Sequence, residues 1–196
     1  LSESPHVFYK QIKDRLASFQ GAFHSVMVRD ELWHLAESGR CFERSENTVR
    51  LLHSVYHTLP QDQAAAYVYL MAVLKAVSGF DAFRRFGSEE LDVNGVAYFL
   101  IRHEQFPRSV LFAIRLLDQH LKALRVTEGH HDSVFGWSVR LIGKLKAELD
   151  FLQEEDIRFD QLGEQLQNLQ IAHAQLGHSL TKVFFQSRRE AGDVGA

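Results

Sequence analysis

Cysteine is almost absent: Cys41 is the only one in 196 residues. That excludes an internal disulfide and a cysteine-built zinc finger, and it fits a reducing compartment, so a cytoplasmic location is expected. Prolines are equally scarce, at three. No apolar run approaches the ~20 residues that span a bilayer, so no membrane partner is expected. No excess of positive charge exists either. Twenty-two Lys and Arg stand against 25 Asp and Glu, for a formal charge of −3, so no nucleic-acid face is expected. Phosphate loops of the GxxxxGK[ST] type and GxSxG elbows are missing. What remains is a globular composition, 45% hydrophobic and 24% charged, with the charges interspersed.

The prolines punctuate a helical pattern. Ser4-Pro5 opens a first helix with Phe8, Ile12, Leu16, Phe19 and Phe23 on one face. A long second helix is expected over Arg29–Leu59, with Leu35, Phe42, Val49 and Tyr56 recurring every seven residues, flanked by Leu52 and Leu59, and Pro60 at its end. A third covers Ala64–Ser78 and stops at Gly79, and FDAFRRFG then reads as a short turn. Asp92 caps a helix running to Arg102. Pro107 suits the first turn of the next, where Val110, Ile114, Leu117, Leu121 and Leu124 form a packing seam. TEGHHDS is a loop. Val134, Trp137, Leu141, Leu145, Leu149 and Leu152 mark another helix. The last, over Phe159–Ser187, presents Leu162, Leu166, Leu169, His173, Leu176, Leu180 and Val183. No strand-type alternation is left over. The expected fold is all-α, an antiparallel bundle of about six to eight helices, with residues 1–189 as one domain and 190–196 as a flexible tail.

The densest chemistry is GRCFERSENTVR in the second helix. At 100° per residue, Arg29, Arg40, Glu43, Asn47 and Arg50 share a side of that helix away from Phe42 and Val49. Neighbours three and four apart touch there. A solvated face with weak ion pairs, a buried structural network and a ligand site all fit this spacing. Cys41 points to the apolar side and reads as a core thiol rather than a nucleophile.

These residues resemble the bacterial Alpha-E domain family. Its pattern of QG, then Arg-Asp-Glu and Trp, then Gly-Arg-x-x-Glu-Arg and a further Arg falls on Gln20, Gly21, Met27, Arg29, Asp30, Glu31, Trp33, Gly39, Arg40, Glu43, Arg44 and Arg50. A second signature, Phe-Leu, a polar link and Pro-Arg-Ser, falls on Phe99, Leu100, Phe106, Pro107, Arg108 and Ser109. The polar link departs from the pattern: it reads Arg102-His103-Glu104, with its acid displaced. The resemblance implies the second of two related halves, hence a piece of a longer domain, as does the absence of an initiator Met. It also implies company with circularly permuted ATP-grasp proteins and transglutaminase-like peptidases in peptide-ligating or peptide-modifying systems.

Two functions follow as expectations. One is a non-catalytic helical partner that binds an ATP-grasp-type ligase or its peptide substrate through Arg29, Arg40, Glu43, Arg44, Asn47, Arg50 and Arg108, forked donors suited to carboxylate or phosphate. The other is an enzyme with Glu43 or Glu31 as base and Arg40 and Arg108 as clamps. Convergence of Arg40, Glu43 and Arg108 on an open pocket favours the enzyme; mutual burial and pairing favours the partner. A di-metal bundle is a weak third reading. Glu31–His34 and Glu128–His131 have ExxH spacing, but such matches arise by chance and no complementary inward glutamates accompany them, so no metal and no cofactor are expected. His173 reads as a hydrogen-bonded core residue. If Glu43 is buried and paired, its replacement by Gln costs about 1–3 kcal/mol. Uncovered apolar faces at Phe8, Phe19, Phe23, Phe184 and Phe185 imply self-association or another chain.

Overall fold

The computed structural model describes residues 4–87, 90–128 and 133–186, with the side chains of 125–128, 133–134 and 185–186 left out. Within them lie eight α-helices and no strand. They are α1 (Pro5–Val26), α2 (Glu31–Thr58), α3 (Gln63–Ala76), α4 (Phe80–Phe86), α5 (Val93–Arg102), α6 (Val110–Glu128), α7 (Ser133–Phe151) and α8 (Phe159–Thr181). A 3-10 turn at Glu154–Asp156 joins α7 to α8, and a π-type turn at Lys182–Gln186 ends the described chain.

The starts of these helices are written in side chains that accept the orphan backbone donors. Ser4 accepts from Val7 N, Asp30 from Trp33 N, Asp62 from Ala65 N and Asp92 from Gly95 N. For α6 the cap is Ser109, whose hydroxyl accepts from Phe112 N at 3.1 Å and donates to His103 O at 2.5 Å. Pro107 therefore sits in the turn before the helix, not in its first turn. The segment FDAFRRF is a seven-residue helix rather than a turn. Ser78, not Gly79, adopts the left-handed φ of 53° after α3.

Helices α2, α6, α7 and α8 form a ring in which each packs on two neighbours, and every neighbouring pair runs antiparallel. Contacts along the helices fix the directions: His34 of α2 meets His120 of α6 while Thr48 meets Arg108 just before α6, Phe42 and Tyr56 of α2 meet Gly177 and Gly163 of α8, Arg115 of α6 meets Asp150 of α7, and Ser138 of α7 meets Ser179 of α8. The α6 seam is as expected, with Val110, Ile114, Leu117, Leu121 and Leu124 all fully buried. Helices α3–α5 form the long crossover from α2 to α6, and α5 closes one end of the bundle.

Two faces differ from the sequence reading. On α2 the buried line is Glu37, Ser38, Cys41, Ser45, Thr48, Val49, Leu52 and Val55. Its first part consists of small or polar residues, which let α6 approach closely. The heptad residues Phe42 and Tyr56 turn toward α8, where they fill space left by glycines. A Cβ at Gly177 would lie 2.9 Å from the Phe42 ring, and one at Gly163 would lie 2.7 Å from the Tyr56 ring. On α7 the buried register is Phe135, Ser138, Ile142, Leu145 and Leu149, which leaves Trp137 half exposed.

Helix α1 stands apart. It has no buried residue, and Phe8, Leu16 and Phe19 are more than half exposed. Its C-terminal half borders the bundle: Leu16, Phe19, Gln20 and Phe23 face Leu35, Phe42, Leu180 and Phe184 across a largely apolar groove of about 760 Å³. Among the described residues no single helix is long and apolar enough to cross a membrane.

Candidate functional site

The two sequence signatures meet in space. Helix α2 runs past the turn that precedes α6, and Arg44 Nη1 donates to Pro107 O at 3.3 Å. One turn later, Thr48 Oγ1 lies 2.8 Å from Arg108 O and 3.1 Å from Arg44 O, so its single proton is engaged by backbone carbonyls. The turn itself is held from below. His103 Nδ1 accepts from Phe106 N at 3.0 Å and from Gln105 N at 3.2 Å, while burial holds the His103 pKa below its usual value. The displaced acid of the polar link, Glu104, is pinned by Arg102 at 2.9 Å and Arg115 at 3.2 Å. Hydrogen bonds from Arg115 and Arg102 bring its pKa down to about 2.

Above this joint lies an open groove of about 440 Å³. Arg40, Glu43, Arg44 and Asn47 of α2 line it, with Arg108 from the turn, Gln20 from α1 and Ala76–Val77 from the end of α3. Five of the seven expected site residues are thus brought together: Arg40, Glu43, Arg44, Asn47 and Arg108. The other two are elsewhere. Arg29 precedes the helix, lies 4.2 Å over the Trp33 ring and donates to His24 O at 2.8 Å. Arg50 is exposed and does not line the groove.

Charge is crowded here. The Arg44 guanidinium is half-buried, and its pKa is lowered first by desolvation and then by the like charge of Arg40, with a smaller push from Arg108. Arg40 uses Nη2 to pair with Glu37, leaving its Nε shielded and without a hydrogen-bond partner among the described residues. Glu43 is exposed and has no ion-pair partner among the described residues. The condition under which Glu43→Gln would be costly, burial with pairing, is therefore not met. The buried acid on α2 is Glu37, one turn and a half earlier on the adjoining face, only 3% exposed.

Glu37 anchors a second cluster that sequence reasoning missed. Beside it lie Cys41 on the next turn and His120 from α6, with ligating atoms all within 4.8 Å of one another. His24 Nε2 is 3.5 Å from the Glu37 carboxylate. His120 Nδ1 is 3.0 Å from His34 Nδ1, and Trp33 packs edge-on to both rings. Burial, then the Glu37 charge, raises the Cys41 pKa to about 11, so the thiol is protonated at neutral pH and not a ready nucleophile. Desolvation, and then His34, lowers that of His120. His173 is the core histidine expected. Its Nδ1 donates to Leu169 O at 2.7 Å, and its Nε2 accepts from the Ser45 hydroxyl at 2.6 Å. Glu31 lies at the start of α2 outside the groove. The Glu128–His131 pair, Phe185 and the 190–196 tail lie outside the described side chains.

Glu43-Arg44 is the one Glu-Arg dipeptide in the sequence. Residues 2–185 match the profile of the Alpha-E family, described as a predicted alpha-helical domain with a conserved ER motif. The chain belongs to the Alpha-E family. The Alpha-E match runs through all eight helices rather than through one stretch of signature, and in this member the Glu-Arg pair stands in the wall of the arginine groove. No curated protein and no solved structure is significantly similar to the chain.

Proposed function

We propose that this Alpha-E domain is a non-catalytic, substrate-positioning partner in a bacterial, cytoplasmic peptide-ligating or peptide-modifying system of the ATP-grasp-linked kind. The observation that carries the reading is the groove where Arg40, Arg44 and Arg108 converge. Arg40 and Arg108 set like charges beside the half-buried Arg44 guanidinium, a crowding that an anion placed among them relieves, and forked donors suit a carboxylate or phosphate. An ATP-grasp ligase activates a carboxyl group as an acyl phosphate, so holding an acidic peptide end beside that enzyme supplies orientation without chemistry of its own.

The open groove is also the arrangement expected for an enzyme with Glu43 as base and Arg40 and Arg108 as clamps. Composition of the lining weighs against it. The groove holds no cysteine or histidine, and the Thr48 hydroxyl is spent on backbone carbonyls. Glu43 has no orienting partner among the described residues, whereas a general base works within a fixed geometry.

We further infer that the apolar face of α1 is covered by another chain, either a second copy or the ligase. Phe8, Leu16 and Phe19 are each more than half exposed on α1, and contiguous exposed apolar faces mark interaction sites.

The test is reconstitution of the full-length protein with the ATP-grasp-type ligase and its peptide substrate. Arg108→Ala abolishes or strongly slows ligation while melting stays unchanged, because the side chain is exposed. Glu43→Gln leaves ligation within about twofold, well inside the 10²–10⁴-fold that general acid–base catalysis contributes. Turnover of substrate by the purified chain alone, lost with Glu43→Gln, overturns the proposal in favour of the enzyme.

A further inference from the structure

We propose that Glu37, Cys41 and His120 form a binding site for a thiophilic divalent transition-metal ion, zinc in the first instance. Glu37 and Cys41 are four residues apart on α2 and so share a face, and His120 arrives from the antiparallel α6. Their exposures are 3%, 1% and 9%. A carboxylate, a thiol and an imidazole are the three side-chain types that zinc uses, and here they face one another inside the bundle.

The spacing is close to what an ion needs. The candidate ligand atoms lie within 4.8 Å of one another. Bond lengths of about 2.0–2.3 Å put tetrahedral ligands roughly 3.3–3.6 Å apart, so side-chain rotation of about an ångström closes the site without moving a helix. The surroundings also suit a metal centre. Arg40 holds one carboxylate oxygen of Glu37, which fixes that ligand's orientation. The contact between His34 and His120 fixes the imidazole ring, the role that outer-shell partners play around bound metals. On binding, the Cys41 thiol gives its proton to solvent and coordinates as thiolate, while the carboxylate and neutral imidazole keep their protonation. Three protein ligands leave a fourth position for water or an incoming group. A search for ExxH pairs overlooks this set, because its ligands are spaced Glu-x-x-x-Cys on one helix with the histidine far away in sequence. Of the ExxH pair on α2, only His34 reaches the cluster, and it does so behind His120.

The experiment uses the whole chain, stripped with a chelator, kept reduced and titrated with cobalt(II). The expected result is a thiolate-to-cobalt charge-transfer band that saturates at one equivalent and is bleached by zinc. Cys41 is the only cysteine, so that band names its ligand without mutation. Glu37→Gln and His120→Gln each weaken cobalt binding by on the order of tenfold or more, the scale on which even outer-shell partners count. His53→Gln, in the exposed His53–His57 pair, leaves the band unchanged. If the buried variants fail to fold, the spectrum of the folded wild type still decides. Absence of a thiolate band there overturns the proposal, and so does stoichiometric binding that survives Cys41→Ser.

Discussion

Two glutamates on α2 sit six residues apart, each within reach of an arginine on the same helix, and end in opposite circumstances. Glu37 faces α6, is buried, and is held by Arg40 with His24 nearby. Glu43 faces the open groove and has no ionic partner among the described residues. The difference lies in what the opposite helix supplies. Small residues at 38, 41, 45 and 48 draw α6 in over one flank of α2, whereas the other flank is left open between α1, the end of α3 and the turn before α6. One flank is therefore packed against α6, and the other lies open to a ligand.

The largest expected effect is on the buried flank. Glu37→Gln removes the partner of Arg40 inside the bundle and destabilises by about 2–3 kcal/mol, read as a lowered urea midpoint with unchanged slope. Ser45→Ala comes next. It strips the buried His173 Nε2 of its hydrogen-bond donor and costs about 1–2 kcal/mol in the same measurement. On the open flank, Glu43→Gln changes stability by less than about 0.5 kcal/mol. Equal losses at Glu37 and Glu43 would erase the distinction between the two flanks.

Glu104 sharpens the comparison as a third case, exposed like Glu43 but partnered like Glu37. Its folded pKa is depressed to about 2 by Arg115 and Arg102. A depressed carboxylate contributes stability that is fully present above the ordinary carboxylate range and is lost as pH falls through the folded value. Carboxyl carbon shifts followed by NMR should show Glu104 titrating near pH 2. With Arg115→Ala, the midpoint should rise toward the ordinary range.

The fold was legible because apolar spacing at 3.6 residues per turn is a direct record of burial on α6 and α8, and because Ser4, Asp92 and the prolines mark helix ends. The longest helices fell where the pattern put them, at α2 and α8. Burial on α2 was less legible. Glu37, Ser38, Cys41, Ser45 and Thr48 are buried without being apolar, and only the packing of α6 reveals it. On α7 the large ring of Trp137 suggested a core position, yet the smaller Ser138 and Ile142 take it. The groove was readable as a stripe on one helix, whereas Arg108 was placed with it only through the family resemblance, because its arrival from the turn before α6 is a tertiary event with no local signal. That Glu37 rather than Glu43 is buried has the same origin: both glutamates have an arginine within helical reach, and only the opposing helix separates them.

The central claim is that the open flank of α2 holds an anion and does not transform it. Isothermal titration of the purified chain with a short acidic peptide bearing a free C-terminal carboxylate tests this most directly, with product analysis of the same mixture. The expected result is saturable one-to-one binding, weakened by added salt and by Arg108→Ala, retained in Glu43→Gln, with the peptide recovered unchanged. Binding that is indifferent to Arg108→Ala, or a chemically altered peptide, would contradict it.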